Sequence, residues 1–121
     1  VIRLDPTRRQ EAIDAGWLAY CDRLPSMEGA YRRACEGWQV VAIVADRVIG
    51  ALFARAGVIH IGIVPDWRGR WASRRLIREM LGYGTKTTLQ PGEDGPREFI
   101  RRIGFVKIGD SFTFKGAVCP S

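Results

Sequence analysis

The residues of this chain best suited to chemistry lie together between Val58 and Gly82. An apolar run from Val58 to Val64 ends at Pro65. A turn reading Asp66-Trp67-Arg68-Gly69 follows, and the spacing predicts an amphipathic helix from Arg70. The first N–H groups of a helix have no intrahelical acceptor, and the helix dipole adds positive charge there. Such an end takes anions, phosphate above all. Arg68 and Arg70 bracket Gly69 at that point, and an arginine fork donates to phosphate oxygens in pairs. The chemistry implied is the cradling of a phosphate or pyrophosphate. The alternative is a plain strand–turn–helix in which Gly69 permits the turn and the arginines are solvated.

His60 is the lone histidine and interrupts the apolar run just before this segment. Its ordinary pKa near 6.5 suits it to accept a proton at neutral pH. The competing reading is a half-buried sheet histidine with an ordinary hydrogen bond. Cys21, Cys35 and Cys119 are odd in number and widely separated, so they fit neither a zinc spacing nor a disulfide framework. Reduced thiols in a cytoplasmic protein, and no metal, are expected. Arg74, Arg75 and Arg78 share one helix face, where they could reach a phosphate, bind nucleic acid or simply be solvated.

Those residues need elements to position them. Val1 to Leu4 reads as a first strand, with Asp5 as N-cap and Pro6 as first residue of a helix. Ile13, Trp17, Tyr20, Cys21 and Leu24 follow helical spacing and predict one buried face, with Pro25 as the stop. Ser26 is expected to cap a second, shorter helix through Cys35. Trp38 to Ala45, Val48 to Arg55 and Val58 to Val64 read as an antiparallel meander of three strands. Ala72, Leu76, Ile77, Met80 and Leu81 form the apolar face of the next helix, which Gly82 and Gly84 end. Thr85 to Gln90 is a strand, Pro91 to Pro96 a loop and Arg97 to Ile103 a short helix closed by Gly104. Phe105 to Ile108 and Ser111 to Lys115 are two last strands. This order demands an α/β (α+β) sheet flanked by about four helices.

The chain has 121 residues, 46% of them hydrophobic and 26% charged, which is ordinary composition for one domain spanning 1–121. No apolar run approaches the roughly 18 residues of a membrane span. The formal net charge is +6, from 19 basic against 13 acidic residues, all the basic ones but Lys86, Lys107 and Lys115 being arginine. Such a balance points to an anionic partner, either a phosphate-bearing cofactor or nucleic acid. The four tryptophans show no interleaving typical of a base-stacking platform, so nucleic acid is the less favoured partner.

The run Ile61-Gly62-Ile63-Val64-Pro65-Asp66-Trp67-Arg68-Gly69-Arg70-Trp71-Ala72-Ser73 resembles motif A of the GNAT superfamily of acyl-CoA-dependent N-acyltransferases. Phe99-Ile100-Arg101-Arg102-Ile103-Gly104-Phe105 resembles the family's motif B. The resemblance covers nearly the whole chain and implies a GNAT-like, mainly antiparallel sheet. It implies acetyl-CoA as cofactor, its pyrophosphate held at Arg68, Gly69, Arg70, Trp71, Ala72 and Ser73. The pantetheine arm would lie against the backbone of Ile61, Gly62 and Ile63. Trp71 stands where the family usually has a glycine, and Ser73 where it has Gly or Ala. Ile100 stands where many members have a tyrosine that protonates the departing thiolate. Tyr83 and Ser111 are the other hydroxyls considered for that proton.

The resemblance therefore implies an acetyl-CoA-dependent N-acetyltransferase in which an amine attacks the thioester directly. His60 is the candidate base. The acceptor is an amine-bearing small molecule or protein, and a homodimer is a further expectation of the resemblance. Glu93, Asp94 and Glu98 fall near the expected sulfur end, as guides for an amine or as plain loop charge. A second reading is a GNAT-fold binding or assembly protein that no longer catalyses, of a kind met among phage proteins. A third is a basic nucleic-acid-binding domain, with steeply salt-dependent binding.

Overall fold

The apolar, β-branched runs pair as strands and are buried almost continuously along β2 and β3. The computed structural model describes residues 1–21, 26–87, 101–102, 104–108 and 111–114, which form two compact units, Val1–Gly84 and Thr85–Ser121. The first unit holds β1 (Arg3–Asp5), α1 (Arg9–Tyr20), α2 (Glu28–Cys35), β2 (Gln39–Val44), β3 (Val48–Arg55), β4 (Val58–Ile63), a 3-10 turn at Pro65–Trp67 and α3 (Arg74–Leu81). Its strands pair antiparallel in the order β1-β2-β3-β4, with Val41 opposite Leu52 and Leu52 opposite Ile61. The second unit holds β5 (Lys86–Thr87), β6 (Phe105–Ile108) and β7 (Ser111–Phe114), with β7 paired antiparallel to both β5 and β6. The meander expected over 38–64 is present. The helix expected over 97–103 falls largely outside the described residues, as do Leu24 and Pro25.

The β3–β4 hairpin turns through Ala56 and Gly57, both at positive φ (51° and 81°). That is the handedness a two-residue loop needs to match the strand twist. At the next crossing, β3 and β4 approach so closely that a Cβ on Gly50 would run into the carbonyl oxygen of Gly62 and lie 2.9 Å from Ile63 Cδ1.

One face of this sheet carries α1 and α2. Ala12, Ile13 and Cys35 pack with Val40, Ala42, Val44, Ala51 and Phe53. Here the observed helix differs from its expected face. The buried residues of α1 are Ala12, Ile13, Ala15, Gly16 and Ala19, while Trp17 and Tyr20 are only half-buried. Small residues win because α1 lies directly on the strands: a Cβ on Gly16 would meet the Tyr31 hydroxyl and come within 2.8 Å of Phe53 Cζ. The aromatics flank that contact, with Tyr31 5.7 Å from Trp17, 6.5 Å from Tyr20 and 6.1 Å edge-on to Phe53. Burial pushes the Tyr31 phenol up, and its hydroxyl donates to the Ile13 carbonyl at 2.7 Å.

Neither of the first two caps falls where the sequence places it. Asp5 ends β1, and its carboxylate accepts from the Thr7 N–H at 2.9 Å and from the Thr7 hydroxyl. The acceptor is thus engaged in a turn, and α1 begins only at Arg9, with no side-chain cap from Arg8. Helix α2 likewise follows Met27 without a side-chain cap, rather than Ser26.

Candidate functional site

The site begins with the edge of β4. The Val64 N–H donates to the Ile49 carbonyl at 2.9 Å, and Gly50 faces Ile63 in the register. In an antiparallel ladder, residues alternate between hydrogen-bonded and non-bonded pairs. Gly62, His60 and Val58 therefore bond to β3. Ile59, Ile61 and Ile63 turn their N–H and C=O groups away from it. Two of the three outward peptide groups belong to Ile61 and Ile63, the positions singled out for a pantetheine arm.

Both outward carbonyls are met by side chains, in contacts that sequence reasoning missed. The Tyr20 hydroxyl donates to Ile61 C=O at 3.3 Å. Arg68 Nε donates to Ile63 C=O at 3.4 Å, while its Nη2 donates to Ala19 C=O at 2.7 Å. A helix ends with carbonyls lacking intrahelical donors, and a basic side chain can satisfy them. Arg68 thus ties the end of α1 to the end of β4. Its guanidinium is built into the fold, where the sequence suggested a phosphate ligand. Gly62 serves the same junction: a Cβ there would lie 3.1 Å from the Tyr20 ring and 3.2 Å from Ala19 Cβ. No sequence signal links residues 41 and 49 positions apart, so these contacts were not legible beforehand.

Beyond β4 the chain makes a turn, then a helix that starts later than its spacing predicts. Arg68 (φ −61°, ψ 132°) and Gly69 (φ +78°) form a type II turn closed by the Arg70 N–H on Trp67 C=O at 3.1 Å. Nothing lies within 4 Å of a Cβ on Gly69, so backbone conformation alone requires the glycine. The chain then bends through Arg70 and Trp71 to Ser73 (φ −136°, ψ 160°), whose Oγ accepts from the Leu76 N–H at 3.1 Å. Ser73 is therefore the N-cap, and α3 starts at Arg74 instead of Arg70. Ala72 precedes the helix and is exposed, off the apolar face predicted for it. That face consists of Leu76, Ile77 and Met80. At its far end Gly82 stays right-handed (φ −66°), so no left-handed glycine cap forms. Gly84 is needed instead for close approach, since a Cβ there would lie 2.6 Å from Gly57 C=O.

This later start changes what can meet an anion. The amides of 68–73 belong to a turn and a loop, not to the first helical turn. Arg68 and Arg70 N–H groups donate within the turn, while among the described residues those of Gly69, Ala72 and Ser73 have no backbone acceptor. Arg70 lies 5.0 Å over the Trp67 ring, held by cation–π attraction. Arg75 is engaged by the Ile2 carbonyl at 2.8 Å and by Glu79 at 2.8 Å. Trp71 is half-buried, and Arg74 and Arg78 are exposed.

His60 lies on the face carrying α1 and α2, two residues from Gly62 along the strand. Its ring sits 5.4 Å from that of Trp38, which carries the Arg55 guanidinium 5.8 Å from its own centroid. The strand direction therefore brings His60 near the segment Ile61–Ile63, with an aromatic neighbour on one side. Ile100, Glu93, Asp94 and Glu98 lie outside the described residues. Tyr83 is half-buried in the turn after α3. A groove of about 350 Å³ opens between Leu18 and Cys21 of α1 and the strand ends at Val48 and Val64. A second, of about 260 Å³, is lined by Arg9 and Arg32. Their charges are already engaged: Arg9 donates to the carbonyls of Trp38 and Cys35, and Arg32 pairs with Asp14 and Glu28. Burial raises the Cys35 thiol, which keeps it protonated and poorly nucleophilic.

No protein-family model and no curated protein sequence matches the chain. Among the described residues no helix is long and apolar enough to cross a membrane. Its fold recurs in solved structures. The apo form of YjaB from Escherichia coli, solved in solution, matches with a TM-score of 0.65 at 18% identity, over 97% of this chain and 99% of that one. A candidate acetyltransferase of the GNAT family from Desulfovibrio desulfuricans matches with a TM-score of 0.55 at 13% identity, over 93% of this chain and 96% of that one. Two helices after a first strand, an antiparallel meander, a glycine turn and a third helix are thus elements of a GNAT-like α+β fold.

Proposed function

We propose that this protein is an acetyl-CoA-dependent N-acetyltransferase that acts on an amine-bearing small molecule or protein in the cytoplasm. The observation that carries the reading is the edge of β4. Ile61 and Ile63 turn their peptide groups away from β3, at the end of a strand that runs into the Gly69 turn and the Ser73-capped α3. An extended chain of amides can pair with such outward peptide groups as strands pair. Bound acetyl-CoA supplies an activated acyl thioester to this edge.

The chain's own residues do the rest. Ile61 and Ile63 offer N–H groups to the cofactor arm and orient it along the strand. Orientation of this kind removes much of the entropic barrier to acyl transfer. Gly69 keeps the turn flat beside a pyrophosphate. The amides of Gly69, Ala72 and Ser73, with the positive end of α3 and the Arg70 and Arg74 charges, favour anionic oxygens. His60 takes the proton of the attacking amine. Arg68 holds α1 and β4 together so that the edge stays in place.

A second reading has one observation in its favour: with Arg68 engaged by Ala19 and Ile63, the turn presents less free charge than its sequence suggests. It is a GNAT-fold binding or assembly protein without catalysis. One calorimetric titration with acetyl-CoA and with coenzyme A separates the two. The acetyltransferase reading expects micromolar binding, lost in Gly69→Pro, because proline removes an amide and cannot adopt φ +78°. Circular dichroism checks that the variant stays folded. No heat of binding up to millimolar ligand overturns the reading.

A further inference from the structure

Acyl transfer from a thioester leaves a thiolate that needs a proton, and Ile100 cannot donate one. We propose that the Tyr20 hydroxyl is the proton donor of this site, an inference that rests on the acetyltransferase reading above.

Three observations place Tyr20 there. Its ring covers Gly62, where even a methyl group would be within 3.1 Å of it. Its hydroxyl crosses to the outer edge of β4 and donates to Ile61 C=O, one of the two peptide groups turned toward a cofactor arm. That bond spans 3.3 Å, long for a hydroxyl on a carbonyl, which ordinarily lie 2.5–3.0 Å apart. A phenol O–H rotates freely about its C–O bond and forms a shorter, stronger bond to an anion than to a neutral carbonyl. A thiolate beside Ile61 is therefore the better acceptor. Of the hydroxyls suggested by sequence, Tyr83 sits in the turn after α3, and the side chain of Ser111 lies outside the described residues.

The proton count closes. The amine nitrogen bonds to the acyl carbon and the carbon–sulfur bond breaks. Sulfur keeps that electron pair and takes the Tyr20 proton. The amine's surplus proton passes to His60 and then through solvent back to the phenolate. Phenols are protonated at neutral pH, so the donor is loaded before each turnover.

The test reads binding and ionisation. Wild type and Tyr20→Phe are titrated with coenzyme A and with desulfo-coenzyme A, and ionisation of the bound thiol is followed by thiolate ultraviolet absorbance, with the desulfo complex as blank. The expected result is coenzyme A binding in both proteins within about threefold, since Phe keeps the ring on Gly62. The bound thiol should ionise about one pH unit lower in wild type, because a hydrogen bond to the charged form favours it. Identical ionisation in both proteins overturns the proposal while leaving the cofactor site standing. Absence of coenzyme A binding in wild type overturns the acetyltransferase reading and this inference with it. If Tyr20→Phe does not fold, wild type labelled with carbon-13 at the tyrosine ζ position decides. The Tyr20 resonance differs between the coenzyme A and desulfo complexes if the hydroxyl meets sulfur, and coincides if it does not.

Discussion

Gly62 and Gly69 lie in one short stretch of chain and are glycines for opposite reasons. At Gly62 there is no room: Ala19 and Tyr20 of α1 sit on the strand, and a Cβ would meet them at 3.1–3.3 Å. At Gly69 there is nothing but room, since no atom lies within 4 Å of a Cβ, and the backbone at φ +78° makes the demand. The difference teaches how this molecule divides its work. Where α1 meets β3 and β4, residue identity is set by what packs against it. From Pro65 to Ser73, it is set by the path the backbone must follow. The first region is built on contacts between segments distant in the chain. The second is local and open to solvent, which suits it to receive a ligand.

The sharpest way to break this comparison is to overfill the packed region. Gly50→Ala drives a methyl into the carbonyl of Gly62, a backbone atom that cannot rotate away. The expected loss is about 3 kcal/mol of unfolding free energy, at the upper end for overpacked cores. Urea denaturation measures it. A loss below about 1 kcal/mol would show that β3 and β4 can part, and that packing does not govern this half.

Gly69→Ala probes the other half and should cost less, about 1 kcal/mol, which is the penalty for a left-handed L-residue. Gly69→Asn should recover part of that loss, because asparagine tolerates positive φ better than alanine. If alanine and asparagine are equally harmful, crowding rather than conformation constrains the turn, and the contrast with Gly62 collapses.

The smallest effect belongs to a turn held by charge. The Thr7 hydroxyl and N–H hold the Asp5 carboxyl below the usual carboxylate range, with Arg3 adding to the effect. A carboxylate whose pKa is lowered by folding stabilises the fold above its unfolded pKa, and that contribution is lost as pH falls through the folded value. Asp5→Ala should therefore lower the melting temperature slightly at pH 7. The gap between variant and wild type should close in acid. A gap that persists unchanged in acid would show that Asp5 acts by shape and not by charge.

Much of the architecture was legible because it depends on local patterning. Continuous Val- and Ile-rich runs with short polar breaks give the meander over β2, β3 and β4, and the two-residue turn at Ala56-Gly57 follows from its length. Helix starts were less legible. Asp5 and Ser26 each have the right side chain for a cap, yet Asp5 is captured by Thr7 and α2 begins after Met27. Ser73 caps α3 where spacing alone favoured Arg70, because after the type II turn at Gly69 the chain bends through Arg70 and Trp71 and reaches helical backbone only past Ser73. The buried face of α1 was misread for a related reason. Large apolar residues at helical spacing suggest burial, but where α1 lies on Gly62 and Phe53 its buried residues, apart from Ile13, are alanines and a glycine.

By itself, the sequence determined that a basic chain of this length would build an antiparallel meander running into a glycine turn and an amphipathic helix. Those features follow from hydrophobic period, β-branching and the few residues that tolerate positive φ, all of them local properties. Only the tertiary structure decided the roles of Arg68 and Tyr20. In the sequence Arg68 reads as a candidate phosphate ligand and Tyr20 as part of the buried face of a helix. Once α1 is laid on β4, one guanidinium bridges Ala19 and Ile63 and one phenol reaches Ile61. Which carbonyl a side chain meets depends on how two distant segments pack, and no spacing along the chain encodes that.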